Sequence, residues 1–189
     1  MVDTHNTSGF GSEEHPPVVA IFTYHDPVKE KAGETKFQSQ AIAFSTDNGR
    51  TWTKYDKNPV LPNPGIRDFR DPKVTWMPGI AKWVMTLAVQ DHIEFYGSPD
   101  LKTWQKLSEF GKTDGGHGGV WECPDLFEMK DENGKSRYVL LVSINPGAPN
   151  GGSGTQYFCR RFLMEHDLSP TRPVRMQVGL TMAPTITPA

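Results

Sequence analysis

The 189-residue chain is long enough for one domain with a hydrophobic core, and its 20 Lys and Arg residues nearly balance its 22 Asp and Glu residues, for a net charge of −2. This balance argues against a nucleic-acid-binding protein, which normally has a basic excess, and gives no reason to expect an anionic membrane as partner. Ten Phe, five Trp and five Tyr, together with 18 Gly and 16 Pro, favour many short strands separated by turns.

Apolar runs of strand length recur along the chain. In chain order they cover residues 18–24, 40–44, 73–77, 82–89, 92–96 and 137–144. Both alternating faces are apolar in 82–89 and 137–144, which is typical of central strands covered on both sides, whereas 92–96 alternates more clearly. Gly and Pro interrupt the helical period too often for an amphipathic helix of ten residues or more. We therefore expect a nearly all-β fold.

A repeat of 52 residues is the strongest structural signal. The stretch Ser45–Trp52 recurs, one residue shorter, as Ser98–Trp104, so that the two Trp residues are 52 apart. Pro72 and Pro124, each ahead of a predicted strand, are also 52 apart. Such a period, with several short strands per unit, is typical of β-propeller blades. Each Ser-x-Asp…Trp unit fits a hairpin turn whose Asp binds turn amides and whose Trp packs between sheets. A β-sandwich with two chance turns is the alternative.

The repeat divides the chain into about three blades, at residues 17–62, 68–110 and 121–162, after a loop-rich start at residues 1–15. Propellers close with four to eight blades, and 189 residues at this period cannot supply five. We therefore predict an incomplete β-propeller over residues 1–162, followed by an irregular segment at residues 163–189.

Glu122 is the first candidate for chemistry. It begins a predicted inner strand between Trp121 and Cys123. Loss of solvation beside these neighbours would favour the protonated carboxyl that a general acid needs. An ordinary surface carboxylate on a strand is the alternative.

Asp71 is the second candidate, because it occupies the place in its blade that Cys123 occupies in the next. Innermost strands of successive blades line one channel, so we expect Asp71 and Glu122 at the same channel mouth. Arg70 would orient a carboxylate there through charge-assisted hydrogen bonds. A structural Arg–Asp pair at a tight turn is the alternative for Asp71 and, more strongly, for Asp68.

Paired carboxylates in a Trp-rich channel suit a carbohydrate, because aromatic rings stack on sugar faces and glycoside hydrolysis needs two carboxyl groups. The six His residues lack ligand spacing, and Cys123 and Cys159 match no zinc pattern. The glycine-rich stretch 115–119 lacks the Lys-Ser/Thr of a phosphate-binding loop. We therefore expect no metal and no cofactor.

Two motifs together resemble glycoside hydrolase family 32, which includes invertases, inulinases and levanases. Residues 69–74, Phe-Arg-Asp-Pro-Lys-Val, resemble its Arg-Asp-Pro motif, and residues 121–127, Trp-Glu-Cys-Pro-Asp-Leu-Phe, resemble its Glu-Cys motif. Residues 6–10 resemble the stretch that follows the family's Phe-Ser-Gly-Ser segment, and the similarity runs from about residue 2 to about residue 158. The resemblance implies a five-bladed β-propeller that hydrolyses β-fructofuranosidic bonds of sucrose, inulin or levan with retention.

The resemblance also implies roles for individual residues. Glu122 would be the general acid/base, and Asp71 would bind fructose hydroxyls and stabilise the transition state. Arg70, Trp121 and Cys123 would complete the substrate-binding site: Arg70 positions the acid/base, Cys123 tunes it, and Trp121 helps to shape the site. The partner would be a fructoside oligo- or polysaccharide, with neither nucleic acid nor membrane involved.

The sequence departs from the family pattern at both ends, and at the C-terminal end the irregular segment 163–189 does not match the family. The first-blade segment that carries the nucleophile, Trp-Met-Asn-Asp-Pro-Asn-Gly, has no counterpart, and Asp26 in Asp26-Pro27 follows a strand and is not expected to replace it. The chain alone is therefore expected to be inactive. A non-catalytic or vestigial carbohydrate-binding propeller, or another propeller glycosidase of arabinan or xylan type, stays an alternative. No signal peptide or membrane span is apparent, and the resemblance suggests a secreted or periplasmic protein.

Overall fold

The computed structural model describes residues 1–148, 151–160 and 177–181. These residues form three antiparallel sheets in which consecutive strands are neighbours. The first sheet contains β1 (Val18–His25), β2 (Gln38–Ser45) and β3 (Thr53–Lys54); the second contains β4 (Phe69–Met77), β5 (Lys82–Val89), β6 (His92–Ser98) and β7 (Gln105–Phe110); the third contains β8 (Val120–Lys130), β9 (Ser136–Asn145), β10 (Gly154–Arg160) and β11 (Gln177–Thr181). The predicted all-β fold is confirmed, and the sheets are the blades of a partial propeller.

The second sheet lies between the other two and is the most deeply buried. Every residue of β6, and every residue of β5 after Lys82, is buried. For β5 this agrees with the apolar character of both its faces. For β6 the sequence predicts alternation, but the structure buries His92 and Glu94 as well. Glu94 is compatible with burial because Lys106 and Tyr96 donate hydrogen bonds to its carboxylate.

The two Ser-x-Asp…Trp units form equivalent turns, as the repeat predicts. Asp47 and Asp100 each accept a hydrogen bond from the backbone N–H of the residue before the Trp, at 2.9 and 2.7 Å. Trp52 and Trp104 each donate Nε1–H to a carbonyl three residues earlier, at 3.0 and 3.1 Å. Trp104 packs against the core, but Trp52 is 46% exposed, so the predicted packing between sheets is wrong for Trp52.

These turns also set the correspondence between the first two sheets. One turn joins β2 to β3 and the other joins β6 to β7, so β1 corresponds to β5. In the first sheet the position that matches β4 is held by the first residues of the chain. Val2 forms an antiparallel bridge with Val18, and Met1 exchanges backbone hydrogen bonds of 2.8 and 2.9 Å with Val19. The predicted blade 17–62 therefore begins with a second-position strand.

Two apolar clusters hold the sheets together. One lies between the first and second sheets and includes Ile42, Phe69 and Leu87. The other lies between the second and third sheets and includes Phe110 and Trp121. Strand β4 contacts both β1 and β8, so the start of β4 lies where the three sheets meet.

The only helical segments in the described ranges are short. Helix α1 (Pro27–Lys31) follows β1, and a 3-10 turn (Pro78–Ile80) joins β4 to β5. Asp26 caps α1 by accepting hydrogen bonds from the N–H groups of Val28 and Lys29 at 3.0 and 3.2 Å, a structural role in keeping with its exclusion as a nucleophile. None of the helices described is long and apolar enough to cross a membrane.

The third sheet includes one described strand of the stretch 163–189, β11. There β11 pairs antiparallel with β10, from Thr155 opposite Thr181 to Cys159 opposite Gln177. Residues 161–176 and 182–189 lie outside the described residues. The division of the chain at residue 162 stays a prediction.

Candidate active site

Matching β-bulges interrupt β4 and β8 near their starts. The register jumps between Arg70 and Lys73 in one strand and between Glu122 and Asp125 in the other. Within the bulges Asp71 and Cys123 adopt left-handed backbone conformations, with φ of +59° and +48°. Such conformations cost about 1 kcal/mol or more for residues with a Cβ, and they persist where neighbouring contacts hold them. The 52-residue spacing thus relates two backbone distortions as well as two prolines.

Two hydrogen bonds join these bulges directly. Asp71 Oδ2 accepts the backbone N–H of Cys123 at 3.0 Å. Arg70 Nη2 donates to Glu122 Oε1, also at 3.0 Å. The structure therefore brings Asp71 and Glu122 to one place on adjacent sheets, as the repeat predicts.

Arg70 binds two carboxylates at once. Its guanidinium contacts Asp68 through Nη1 and Glu122 through Nη2, and its side chain is only 19% exposed. Burial opposes the positive charge, but hydrogen bonds with Asp68 and Glu122 outweigh burial and raise the pKa of Arg70. Arg70 is thus a fixed cation between the carboxylates of Asp68 and Glu122.

The surroundings of Glu122 differ from the sequence-based expectation. Its side chain is 33% exposed and forms an ion pair with Arg70, so the carboxyl is not enclosed by apolar groups. Strand β8 turns Trp121 into the core and Glu122 towards Arg70 and solvent, because successive side chains of a strand point to opposite faces. Burial, followed by the carboxylates of Asp71 and Glu122, raises the pKa of the Cys123 thiol, which favours its neutral form beside the two acids.

Trp121 lies beneath the site and has no exposed surface. Its ring stacks against His117 and Phe158, with centroids 5.8 and 5.9 Å away, and its Nε1–H donates to the carbonyl of Gly116 at 2.9 Å. A ring with no exposed face cannot stack on a ligand. Trp121 therefore shapes the site only indirectly, by anchoring the glycine-rich loop ahead of β8.

Three polar residues of the first sheet were missed by the sequence analysis. Gln38 Oε1 accepts the N–H of Phe69 at 3.0 Å, and Gln40 Nε2 donates to the carbonyl of Phe69 at 2.8 Å. Thr23 Oγ1 accepts the N–H of Asp71 at 3.0 Å. The available signal was the pair of Gln residues at alternate positions ahead of the apolar run 41–44, because buried polar groups need partners.

An open hollow lies beside Asp68, the second carboxylate that Arg70 binds, and its lining includes neither Asp71 nor Glu122. Its volume is about 370 Å³, within the usual range for small-molecule sites, and it is lined by Asp68, Gln90, Asp91, Gly118, Gly119 and Val120. The hairpin turn at Gln90 connects its two walls: the Gln90 N–H donates to the carbonyl of Asp68 at 2.9 Å, and the Trp121 N–H donates to the carbonyl of Gln90 at 2.7 Å.

A separate cluster in the second sheet has ligand types that suit a metal. His92, Glu94 and Glu109 each offer an atom, all within 4.8 Å of one another. The Lys106 ammonium already pairs with Glu94 and Glu109. Burial alone would raise the pKa of Glu94, but the nearby His92 ring, with Nε2 3.7 Å from Oε1, and the hydrogen bonds from Lys106 and Tyr96 lower it to about 2. A metal ion would have to displace the ammonium, so this geometry favours an ion-pair network.

Comparison with known proteins extends the sequence resemblance. A family model for the N-terminal domain of the glycosyl hydrolases family 32 matches residues 2–182. Levanase of Bacillus subtilis (strain 168) is 51% identical over 164 residues, which cover 86% of this chain and 23% of the levanase. The extracellular exo-inulinase inuE of Aspergillus niger is 43% identical over 179 residues, covering 86% of this chain and 33% of that protein.

The fold comparison agrees with these matches. The solved structure of a fructofuranosidase from Schwanniomyces occidentalis complexed with fructose superposes with a TM-score of 0.78 at 38% identity, covering 95% of this chain and 34% of that chain. The chain thus spans about a quarter to a third of the length of these relatives.

Proposed function

The chain belongs to glycosyl hydrolase family 32, and on this premise we propose that it forms part of the active site of a β-fructofuranosidase acting on sucrose, inulin or levan. The relatives are named levanase and exo-inulinase, and a structural neighbour holds fructose, which supports a fructoside substrate. The observation that carries the proposal is the joining of Asp71 and Glu122 across two matched bulges.

Glu122 is proposed as the general acid/base. Retaining glycosidases use one carboxyl group that first protonates the leaving oxygen and then deprotonates the attacking water. Glu122 suits both steps because its carboxyl is partly exposed while Arg70 fixes its direction. The double displacement also needs a carboxylate nucleophile, and we assign no described residue to that role.

Asp71 is proposed to bind sugar hydroxyls and to stabilise the transition state. Its Oδ2 is held by the Cys123 amide, which orients Oδ1 for a hydroxyl donor. Arg70 is proposed to position Glu122, and Cys123 to contribute its backbone amide and a neutral thiol at the rim. Trp121 is proposed to act only through the loop that it supports.

The test is a chimaeric levanase in which this chain replaces the 164 residues that it matches in the Bacillus subtilis enzyme. We expect fructose release from levan, and we expect Glu122→Gln to lower kcat by at least about 100-fold, as for loss of a general acid/base. Glu128→Gln, on the same strand but exposed, is the matched control and should leave kcat unchanged.

Near-normal hydrolysis by the Glu122→Gln chimaera would refute the assignment. A second measurement uses the chain itself: titration with fructose, followed by NMR, should shift the amide signals of Asp71 and Cys123. Binding that Asp71→Asn weakens, combined with a chimaera that binds but does not hydrolyse, would favour a non-catalytic carbohydrate-binding protein.

We further propose export from the cell, because the exo-inulinase relative is named extracellular. Detection of the natural protein in culture medium, compared with a cytoplasmic marker enzyme, tests this proposal. Retention of all the protein with the marker would refute it.

A further inference from the structure

We propose that Thr23 and Gln40 are positioning residues for the active site, because they hold the left-handed backbone at Asp71 through a hydrogen-bond relay that continues to Glu122. The relay deepens the proposed function and rests on the roles given there to Asp71 and Glu122. Neither Thr23 nor Gln40 lies in the motifs that identify the site.

The need for a relay arises from the bulges themselves. In β4 the ladder passes from Arg70 opposite Ala88 to Lys73 opposite Thr86, so the ladder gives no β5 partner to Asp71. A backbone N–H left out of its ladder in a partly buried place costs free energy unless another group accepts it. The hydroxyl of Thr23, from the first sheet, accepts the Asp71 N–H at 3.0 Å.

The same arrangement recurs one sheet further on. In β8 the ladder passes from Glu122 opposite Ser143 to Asp125 opposite Leu141, which gives no β9 partner to Cys123. Here Asp71 Oδ2 accepts the Cys123 N–H at 3.0 Å. Each bulge is therefore completed by a side chain from the preceding sheet: Thr23 completes the bulge at Asp71, and Asp71 completes the bulge at Cys123.

Gln40 sets the direction of this relay. A backbone carbonyl can only accept, so the contact of 2.8 Å with the carbonyl of Phe69 identifies the Gln40 amide nitrogen as the donor. Gln40 Oε1 then faces Thr23 and accepts its hydroxyl proton at 3.0 Å. With its proton committed to Gln40, the Thr23 oxygen presents a lone pair to the Asp71 N–H.

Gln40 is itself held rigidly. Its side chain is fully buried, and its backbone exchanges hydrogen bonds of 2.9 and 3.2 Å with Leu61. A residue fixed at both backbone and amide can transmit a position, whereas a mobile one cannot. The relay therefore runs from Gln40 through Thr23 and Asp71 to the backbone next to Glu122.

The central variant is Thr23→Val, which keeps the shape of the side chain and removes the hydroxyl. Thr23→Ser restores the hydroxyl and is the rescue variant. Thr75→Val is the matched control, because the Thr75 hydroxyl also joins two sheets, by donating to the carbonyl of Leu126 at 3.3 Å, but lies outside both bulges.

The first readout is amide hydrogen exchange in the chain itself. We expect Thr23→Val to raise the exchange rates of the Asp71 and Cys123 amides about tenfold, as for the loss of one hydrogen bond. Thr23→Ser should return both rates to within about twofold of the starting chain, and Thr75→Val should change neither. Unchanged rates at both amides, or a rise at Asp71 without a rise at Cys123, would overturn the relay.

The second readout is kinetic, in the levanase chimaera. We expect Thr23→Val to lower kcat about tenfold, with recovery in Thr23→Ser, whereas Thr75→Val, which also loses one hydrogen bond between sheets, should leave kcat unchanged. A merely structural effect would lower kcat in Thr75→Val as well, in step with its fall in melting temperature. If Glu122→Gln leaves hydrolysis intact, the proposed function fails, whereas the exchange data still decide whether the relay exists.

Discussion

Replacement of Arg70 by Lys tests the electrostatic centre of the site. The Arg70 guanidinium reaches the carboxylates of Asp68 and Glu122 through two different nitrogens. A Lys ammonium keeps the charge but is a single point, so it cannot hold the same fork geometry. One of the two charge-assisted hydrogen bonds should be lost.

The size of the effect follows from burial. A hydrogen bond to a charged group contributes about 1.5–3 kcal/mol when it is well shielded from solvent. The Glu122 side chain is 33% exposed, so we take the lower part of this range and expect Arg70→Lys to lower the free energy of unfolding by about 1–2 kcal/mol. For a chain of this size, that corresponds to a fall in melting temperature of roughly 2–8 °C.

Urea unfolding of the chain, followed by tryptophan fluorescence, measures this loss. The control is Arg137→Lys, because Arg137 makes a single 3.0 Å contact with Asp131 and its side chain is more exposed than that of Arg70. We expect this control to cost about 0.5 kcal/mol. Equal losses in the two variants would refute the view that Arg70 acts as a fork between two carboxylates.

Two further predictions concern the second and third sheets. The pKa of Glu94 is lowered to about 2 from an ordinary 4.5, so its contribution to stability is complete above pH 4.5 and is lost as the pH falls towards 2. The deficit of Glu94→Gln in urea unfolding should therefore be on the order of 3 kcal/mol at pH 7 and should close near pH 2, and a deficit independent of pH would contradict this. A Cβ at Gly119 would overlap the carbonyl of Pro146 and lie 2.6 Å from the carbonyl carbon of Asn145, so Gly119→Ala should lower the unfolding free energy by about 3 kcal/mol. Gly134→Ala, with φ of +73° and open space around its Cβ, should cost about 1 kcal/mol, and similar losses in both variants would refute the steric argument.

The repeat is what made the fold and the centre of the site predictable. The spacing of Pro72 and Pro124 marks two equivalent bulges, and equivalent positions on inner strands of adjacent blades must face one channel. For this reason the proximity of Asp71 and Glu122 was predictable without coordinates. The start of the first sheet was less predictable, because the turn at Ser45–Trp52 marks the end of a blade and does not show which of its strands comes first.

The surroundings of Glu122 were misjudged for a different reason, and Gln40 was missed for a third. Trp121 and Glu122 are neighbours in sequence, but the alternation of a strand places Trp121 in the core and Glu122 beside Arg70 and solvent. The apolar character of Trp121 therefore says little about the surroundings of Glu122. Gln40 was missed because its hydrogen-bond partners are distant in sequence. Its partners, Phe69 and Thr23, are 29 and 17 residues away, and only the packing of two sheets reveals that its amide is used.

The chain order of the two bulge contacts suggests an order in which the sheets dock during synthesis. In both contacts the sheet that supplies the accepting side chain precedes, in the chain, the sheet whose bulge it completes, so the ribosome always makes the acceptor before the bulge. The bulge beside Glu122 lacks its side-chain acceptor until the second sheet has docked against the third. We therefore expect the arrangement of Asp71 and Glu122 to be among the last features to form.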